Sequence, residues 1–295
     1  MTGKNFFSSR HTGNNIDLWN LLNEDEKPKN ENLLKAFSHF CQMDGAMLFA
    51  SYLGEELIGL AAVYLAREDK SAVLVGLKVH QDHRESSTRQ VIRSSLPLFR
   101  TANIQKVVAV VRKEKKPAAN YFPLTNFLYS WSREALDDLG FIRIGEISHC
   151  TIRNISNSVA ISSKHNSEYE HSRGMELISR IRNNGEIVPP NDLLGLDIAK
   201  RDQRVIVATS HDVIKMLFTY VDFGKEIVFP VFLTERDMAT NMLSDSLKLS
   251  STRSDIDTLT FPSIRNSQIP ILKELASKLE GELVVNSLVL MKKNL

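Results

Sequence analysis

The sequence predicts an α/β fold of the α+β type, in which helices cover a mixed β-sheet, and it predicts this fold twice. The chain of 295 residues is longer than one hydrophobic core usually serves. Apolar residues recur at helical and at strand spacing in alternating segments. A hairpin pattern at residues 47–65 returns at residues 204–221 with a shorter turn. We therefore predict two domains in tandem, residues 1–157 and residues 158–295.

The first half of the sequence begins with helices and continues as a meander of strands. Residues 1–14 are polar and predict no regular structure. Apolar spacing predicts a helix from Asn15 and another over residues 33–41. The later elements are strands at 47–52, 57–65, 71–79 and 106–111, a connection at 112–126, a helix over 131–139 capped by Gly140, and strands at 141–144 and 148–152.

Residues 71–79 form the predicted central strand, because Val73, Val75, Leu77 and Val79 alternate along it. A charged turn and a helix follow. Ser86 or Ser87 is the predicted N-cap of that helix, and Pro97 predicts a kink or an early end. The backbone N–H groups at such a helix N-terminus favour a phosphate.

Residues 79–89, V-H-Q-D-H-R-E-S-S-T-R, resemble the acyl-coenzyme A signature of the GNAT acyltransferase superfamily, V-x-P-x-x-R-x-x-G-x-G. Val79 and Arg84 stand where the family has its valine and arginine. Gln81 replaces the proline, and Ser87 and Arg89 replace the two glycines. The predicted order of elements over residues 15–152 also follows the family, although the pattern does not identify its first strand.

The resemblance implies a cofactor, a reaction and a set of binding residues. The cofactor is acetyl-CoA or another acyl-CoA, and the reaction is transfer of the acyl group to an amine substrate. The fourth and fifth strands are expected to splay, with the amide arm of the cofactor pairing with backbone near Leu77 and Val79. The implied cofactor-binding residues are Leu77, Val79, Arg84, Glu85, Ser86, Ser87, Thr88 and Arg89.

The catalytic residues of this reaction stay unknown. The family often uses a glutamate of the central strand and a tyrosine on the later helix, but residues 73–76 contain no carboxylate and Leu136 stands at the tyrosine position. Tyr129 is predicted to lie on the same side of that helix as Leu136, two turns earlier, and its hydroxyl is a candidate for the missing tyrosine group. The alternative is a catalytically inactive GNAT-like module that binds a ligand or a partner protein in the same cleft. A third reading is an unrelated α/β binding protein.

The second half predicts a more diverged copy of the fold. A polar stretch at 154–172 is typical of a linker. The turn at residues 234–241 has no glycine and places Asp237 near a phosphate position, so we expect this half not to bind acyl-CoA. Its predicted elements are helices at 175–181 and 193–199, the hairpin at 204–221, a strand at 225–233, a helix at 236–249, a strand at 257–261, a helix at 271–279 and closing strands within 282–291.

Composition narrows the classes of partner. The 37 basic and 35 acidic residues leave a net charge of +2. This charge is too small to predict an electrostatic field that attracts nucleic acid. Cys41 and Cys150 are the only cysteines and predict neither a disulfide framework nor a zinc site. Since no apolar run of about 18 residues could span a membrane, and no signal peptide is evident, we expect a cytoplasmic protein.

Overall fold

The computed structural model describes residues 6–11, 31–113, 122–125, 127–156, 171–202, 205–210, 213–235 and 255–295. By contacts, the chain divides into two compact units. Unit 1 comprises Met1–Gly145 and Leu288–Leu295, and unit 2 comprises Glu146–Ser287. The predicted boundary at residues 157 and 158 lies outside the described residues and stays a prediction.

The described residues of unit 1 form a sheet with three helices. Its elements are β1 (Phe6–Arg10), α1 (Glu31–Gln42), β2 (Ala46–Leu53), β3 (Glu56–Ala66), β4 (Ser71–Val79), α2 (Arg84–Thr101), β5 (Lys106–Arg112) and α3 (Arg133–Asp138). The strands β1 to β4 pair antiparallel in sequence order, and β5 joins β4 in parallel. The final strand of the chain, β13 (Glu282–Asn294), pairs antiparallel with all of β5 through its residues 288–294.

The core of unit 1 packs against both faces of β4. Leu74, Leu77 and Val79 of β4 pack in one cluster with Val91 and Phe99 of α2. On another side of β4, Gly76 faces the ring of Phe122, which in turn contacts the rings of Phe37 and Phe40 on α1. Because both of its faces are covered, β4 is buried along its whole length.

Strand β4 changes register at Val75. Ala62 pairs with Gly76 and the next residue, Val63, pairs with Leu74, which makes Val75 an extra residue, a β-bulge. The ladder between β4 and β5 runs from Ser71 and Lys106 to Leu74 and Ala109. The pairing of the two strands thus ends beside the bulge.

The part of unit 2 that the structure describes has two small sheets and three helices. Its elements are β6 (Ile142–Arg153), α4 (His171–Asn183), α5 (Pro190–Asp202), β7 (Val205–Ser210), β8 (Val213–Thr219), β9 (Val221–Asp222), β10 (Glu226–Val228), β11 (Phe232–Thr234), β12 (Thr258–Ile264) and α6 (Ile269–Lys278). One sheet has the order β6-β12-β10-β9 and the other has the order β11-β8-β7. Phe218, Phe229, Phe232 and Phe261 form the aromatic centre of its core.

Most of the predicted elements are confirmed, including the helix at 33–41, both hairpins and the C-cap Gly140, which has φ of 82°. Four predictions about elements are wrong. Residues 6–10 form β1, although residues 1–14 predicted no structure. The two predicted strands within 141–152 are one strand, β6, and the closing strands within 282–291 are one strand, β13. The predicted strand at 225–233 is split into β10 and β11, which lie in different sheets on either side of Pro230.

The start and the interior of α2 also differ from prediction. The helix begins at Arg84, its N-cap is His83, and neither Ser86 nor Ser87 caps it. The helix does not end early at Pro97 but continues to Thr101. The predicted helices from Asn15 and at 236–249, and most of the predicted linker and of the connection at 112–126, lie outside the described residues. Among the helices that the structure describes, none is long and apolar enough to cross a membrane.

Candidate functional site

The candidate site lies at the connection between the end of β4 and the start of α2. A single 3₁₀ turn, Gln81–His83, follows β4, and α2 continues directly from it at Arg84. The hydroxyl of Ser86 donates to the carbonyl oxygen of His83 (3.2 Å), so it satisfies an acceptor rather than one of the first N–H groups. The N-terminal N–H groups of a helix have no acceptor within the helix. This end of α2 therefore has the character of an anion site.

A cleft of about 390 Å³ opens at this end of α2. Side chains of α2 form one wall, and the start of α3 with the residues before it forms the other. The lining residues are Arg84, Glu85, Thr88, Arg89, Trp131, Glu134 and Ala135.

Arg84 and Thr88 present polar atoms that are buried and unsatisfied. The guanidinium carbon of Arg84 lies 4.9 Å from the centroid of the Trp131 ring, a cation–π contact. Within the part of the chain that the structure describes, neither Nε of Arg84 nor the hydroxyl of Thr88 has a hydrogen-bond partner. Thr88 is only 2% exposed. Buried polar groups normally have partners, so these two atoms are exceptions in residues that line the cleft.

Ser87 and Arg89, which stand at the positions of the family's glycines, have different surroundings. Ser87 is buried, and its Oγ lies 3.1 Å from Oγ of Ser51 on β2, so its side chain faces the sheet. Arg89 lines the cleft and donates from Nε to Oδ2 of Asp138 on α3 (2.6 Å). Glu134 also approaches Arg89, with Oε1 3.6 Å from Nη2. The side chain of Arg89 is therefore directed toward α3.

The pairing of β4 with β5 ends partway along both strands, in agreement with the splay that the resemblance implies. Beyond Ala109, the carbonyl oxygen of Val110 accepts from the N–H of Leu128 (2.7 Å), and the N–H of Arg112 donates to the carbonyl of Leu128 (2.9 Å). The backbone of Leu128 thus runs along this part of β5. Leu77 and Val79 lie in the core of unit 1, and their backbone pairing with a cofactor stays a prediction.

Aromatic and basic side chains follow one another from Arg84 toward β5. The rings of Trp131 and Tyr129 stack with centroids 6.1 Å apart. The Tyr129 ring also lies 5.7 Å from Nζ of Lys78 and 5.3 Å from the guanidinium carbon of Arg112. Tyr129 has extended backbone and precedes the 3₁₀ turn Ser130–Ser132, so the prediction that it lies on a helical stripe with Leu136 is wrong.

Of the predicted binding residues, the structure brings Arg84, Glu85, Thr88 and Arg89 together in the cleft. Ser86 is exposed to solvent. The remaining predicted residues, Leu77, Val79 and Ser87, are buried. Sequence reasoning missed Trp131, Glu134 and Asp138. The spacing of the two acids, four residues apart on a predicted helix, was the signal for the pair.

In unit 2, side chains of the residues just before α6 donate to backbone carbonyls of β11. Nε2 of Gln268 donates to the carbonyl of Phe232 (2.8 Å), and Nη2 of Arg265 donates to the carbonyl of Thr234 (2.5 Å). These carbonyls belong to β11, which contains the end of the predicted strand at 225–233. Arg265 also pairs with Glu186 (2.7 Å). Burial raises the pKa of Asp192 well above its usual value, and Arg265 opposes this rise.

Two further observations concern metal ligands and thiols in the described residues. The described residues contain no group of three or more His, Cys, Asp or Glu side chains that could hold a metal ion. Burial raises the pKa of the Cys150 thiol to about 12, which keeps it protonated and unreactive.

Comparisons with known proteins show which fold this is. No protein-family model and no curated protein matches the sequence. A tandem GNAT protein from the clavulanic acid biosynthesis pathway is similar with a TM-score of 0.58 at 11% identity, over 98% of each chain. GCN5-related N-acetyltransferases are also similar: one from Sphaerobacter thermophilus (TM-score 0.56, 12% identity, 98% of this chain and 95% of that chain) and one from Kribbella flavida (0.55, 12%, 99% and 71%). The chain therefore has the fold of tandem GNAT acetyltransferases.

Proposed function

We propose that unit 1 binds acyl-CoA, with a phosphate group at the N-terminus of α2, and transfers the acyl group to an amine. One observation carries this proposal: Arg84 Nε and the Thr88 hydroxyl are buried at the wall of a cleft and lack partners among the described residues. A phosphate oxygen in the cleft would satisfy both donors. The partial positive charge at the helix N-terminus would add to this attraction.

The roles of the chain's residues follow from their positions. Arg84 would bind phosphate by a charge-assisted hydrogen bond, and the Trp131 ring holds its guanidinium group in place. When bound, acyl-CoA supplies the acyl group as an activated thioester. The chain would orient the thioester beside the bulge at Val75, where β4 and β5 part. Proximity and orientation then carry most of the rate enhancement, since no acid or base is assigned.

A catalytically inactive binding module is the second candidate. Two observations favour it. The backbone of Leu128 lies along β5 just beyond the ladder with β4, where the amide arm of a cofactor is expected. The cleft also contains the carboxylates of Glu85 and Glu134, which repel phosphate. Release of free thiol from acetyl-CoA in the presence of a panel of amines separates the two functions, because only the transferase releases thiol.

The binding step is tested with the variant Arg84→Ala. Loss of one charge-assisted hydrogen bond is expected to weaken acetyl-CoA binding by about 1–3 kcal/mol, or roughly 5-fold to 150-fold. Calorimetric titration of the full chain measures the change. The matched control is Arg93→Ala, which removes an exposed arginine of the same helix and is expected to leave affinity unchanged. Equal affinity of Arg84→Ala and wild type would sink the proposed site.

A further inference from the structure

Arg89 connects the two walls of the cleft through ion pairs. Its Nε donates to Oδ2 of Asp138 (2.6 Å), its Nη2 contacts the same oxygen, and Nη2 lies 3.6 Å from Oε1 of Glu134. Glu134 and Asp138 are four residues apart on α3, so both carboxylates lie on one side of that helix. The guanidinium of Arg89 thus has two carboxylates as competitors for any anion in the cleft.

The charges at the cleft are net negative. Arg84 and Arg89 supply two positive charges, and Glu85 and Glu134 supply two negative charges among the lining residues. Asp138 adds a third negative charge next to Arg89. A phosphate that approaches Arg89 must therefore displace a carboxylate or accept its repulsion.

We infer that Glu134 and Asp138 are specificity-determining residues that hold Arg89 away from anionic ligands. In this arrangement, called here the α3 latch, the two carboxylates set how strongly the cleft binds phosphate groups. The α3 latch deepens the proposed function and rests on it, because it concerns the same cleft. Its consequence is that affinity for phosphate-bearing ligands is lower than the two arginines alone would provide, whereas affinity for uncharged ligand parts is unaffected.

The test uses Asp138→Asn and Glu134→Gln in the full chain. The ligands are coenzyme A, inorganic pyrophosphate and pantetheine, which lacks phosphate. The latch predicts that Asp138→Asn strengthens binding of coenzyme A and pyrophosphate about threefold to fivefold, the scale of one partly exposed ion pair. Glu134→Gln gives a smaller gain because its contact is longer. Pantetheine binding does not change.

Two further variants show whether the gain passes through Arg89. Asp137→Asn is the matched control, since it removes a neighbouring carboxylate of α3 that pairs with Arg133 instead, and it is expected to give no gain. In the double variant Arg89→Ala/Asp138→Asn the gain is expected to disappear. Thermal unfolding of each variant verifies that it is folded.

The outcomes distinguish the latch from the proposed function. If wild type binds coenzyme A and Asp138→Asn binds it no more tightly, the latch is wrong and the proposed function stands. If wild type binds neither phosphate ligand while Asp138→Asn binds pyrophosphate, the latch is supported and acyl-CoA binding by the natural chain is contradicted. If no variant binds either phosphate ligand, both are contradicted.

Discussion

The chemistry of the cleft depends on a few polar atoms on α2. Thr88 is the sharpest case, because its hydroxyl is buried at the cleft wall and has no partner in the described parts of the chain. A buried hydroxyl without a hydrogen bond costs free energy. A ligand that accepts or donates a hydrogen bond at this hydroxyl would remove that cost.

Thr88→Val is therefore expected to act in opposite directions on stability and on binding. Replacing the unsatisfied hydroxyl with a methyl group of the same shape should raise the free energy of unfolding of the ligand-free chain, by up to about 1 kcal/mol. The same change should weaken acetyl-CoA binding by about 0.5–1.5 kcal/mol. Urea unfolding and calorimetry measure the two effects. Loss of stability together with unchanged affinity would show that Thr88 has only a packing role.

Asp192 gives a prediction about pH. It is fully buried next to Arg265, and burial raises its pKa well above the usual value. The folded chain therefore binds this proton at pH values where the unfolded chain, with a pKa of about 3.9, has lost it. Its contribution makes stability fall as pH rises from about 4 through the raised pKa.

Asp192→Asn removes this titrating group. The free energy of unfolding of the variant should fall less steeply with pH than that of wild type between about pH 4 and pH 8. Urea unfolding over that range measures the slopes. Parallel pH dependence in the two chains would mean that Asp192 is ionised in the folded state.

At the scale of elements, β4 and the turn after it position the start of α2, which forms one wall of the cleft. The bulge at Val75 ends the pairing with β5, and the 3₁₀ turn Gln81–His83 brings the start of α2 beside the end of β4. Bulges are frequent next to active sites because they redirect backbone groups. The bulge thus lies in the strand that leads to the site.

Pro97 lies in the interior of α2 and exposed to solvent. A proline has no N–H for the carbonyl of the residue four positions earlier, here Arg93, and its ring crowds that carbonyl. Pro97→Ala should thus stabilise the chain by about 1–2 kcal/mol, after subtracting the greater freedom of the unfolded variant. Chemical denaturation measures this, with Arg100→Ala as a control on the same helix. A less stable Pro97→Ala variant would contradict the account.

Periodicity in the sequence was sufficient to predict most elements, because each buries an apolar face against a core. It could not predict β1, which has only five residues and, among the described strands, pairs with β2 alone. Nor could it predict the split at Pro230, since Phe229 and Phe232 continue an apolar run across the break. The motif at residues 79–89 located the cleft. Its partners Trp131, Glu134 and Asp138 lie in α3 or just before it, far away in sequence, so the motif could not identify them.

At the scale of the whole molecule, the end of the chain completes the first unit. Residues 288–294 pair with the whole of β5, and Val289 and Met291 lie in the core of unit 1. A fragment that ends near residue 157 would lack this strand. Binding experiments accordingly need the full chain.

Deletion of residues 288–295 tests this role. Loss of four buried apolar side chains, Leu288, Val289, Leu290 and Met291, should destabilise unit 1 by several kcal/mol, given about 2–5 kcal/mol for one large truncation. Hydrogen exchange at β5 should increase, and an excess of the missing peptide should reverse the increase. Unchanged protection of β5 in the truncated chain would contradict the prediction.

The central claim is that unit 1 alone binds acyl-CoA, at the N-terminus of α2. Calorimetric titration of the full chain with acetyl-CoA tests it most directly, because stoichiometry and affinity come from one experiment. The account predicts one molecule bound per chain, since the turn at residues 234–241 in unit 2 has no glycine and places Asp237 near the expected phosphate position, and weaker binding by Arg84→Ala. Absence of binding at millimolar ligand, or two equivalent sites per chain, would contradict it.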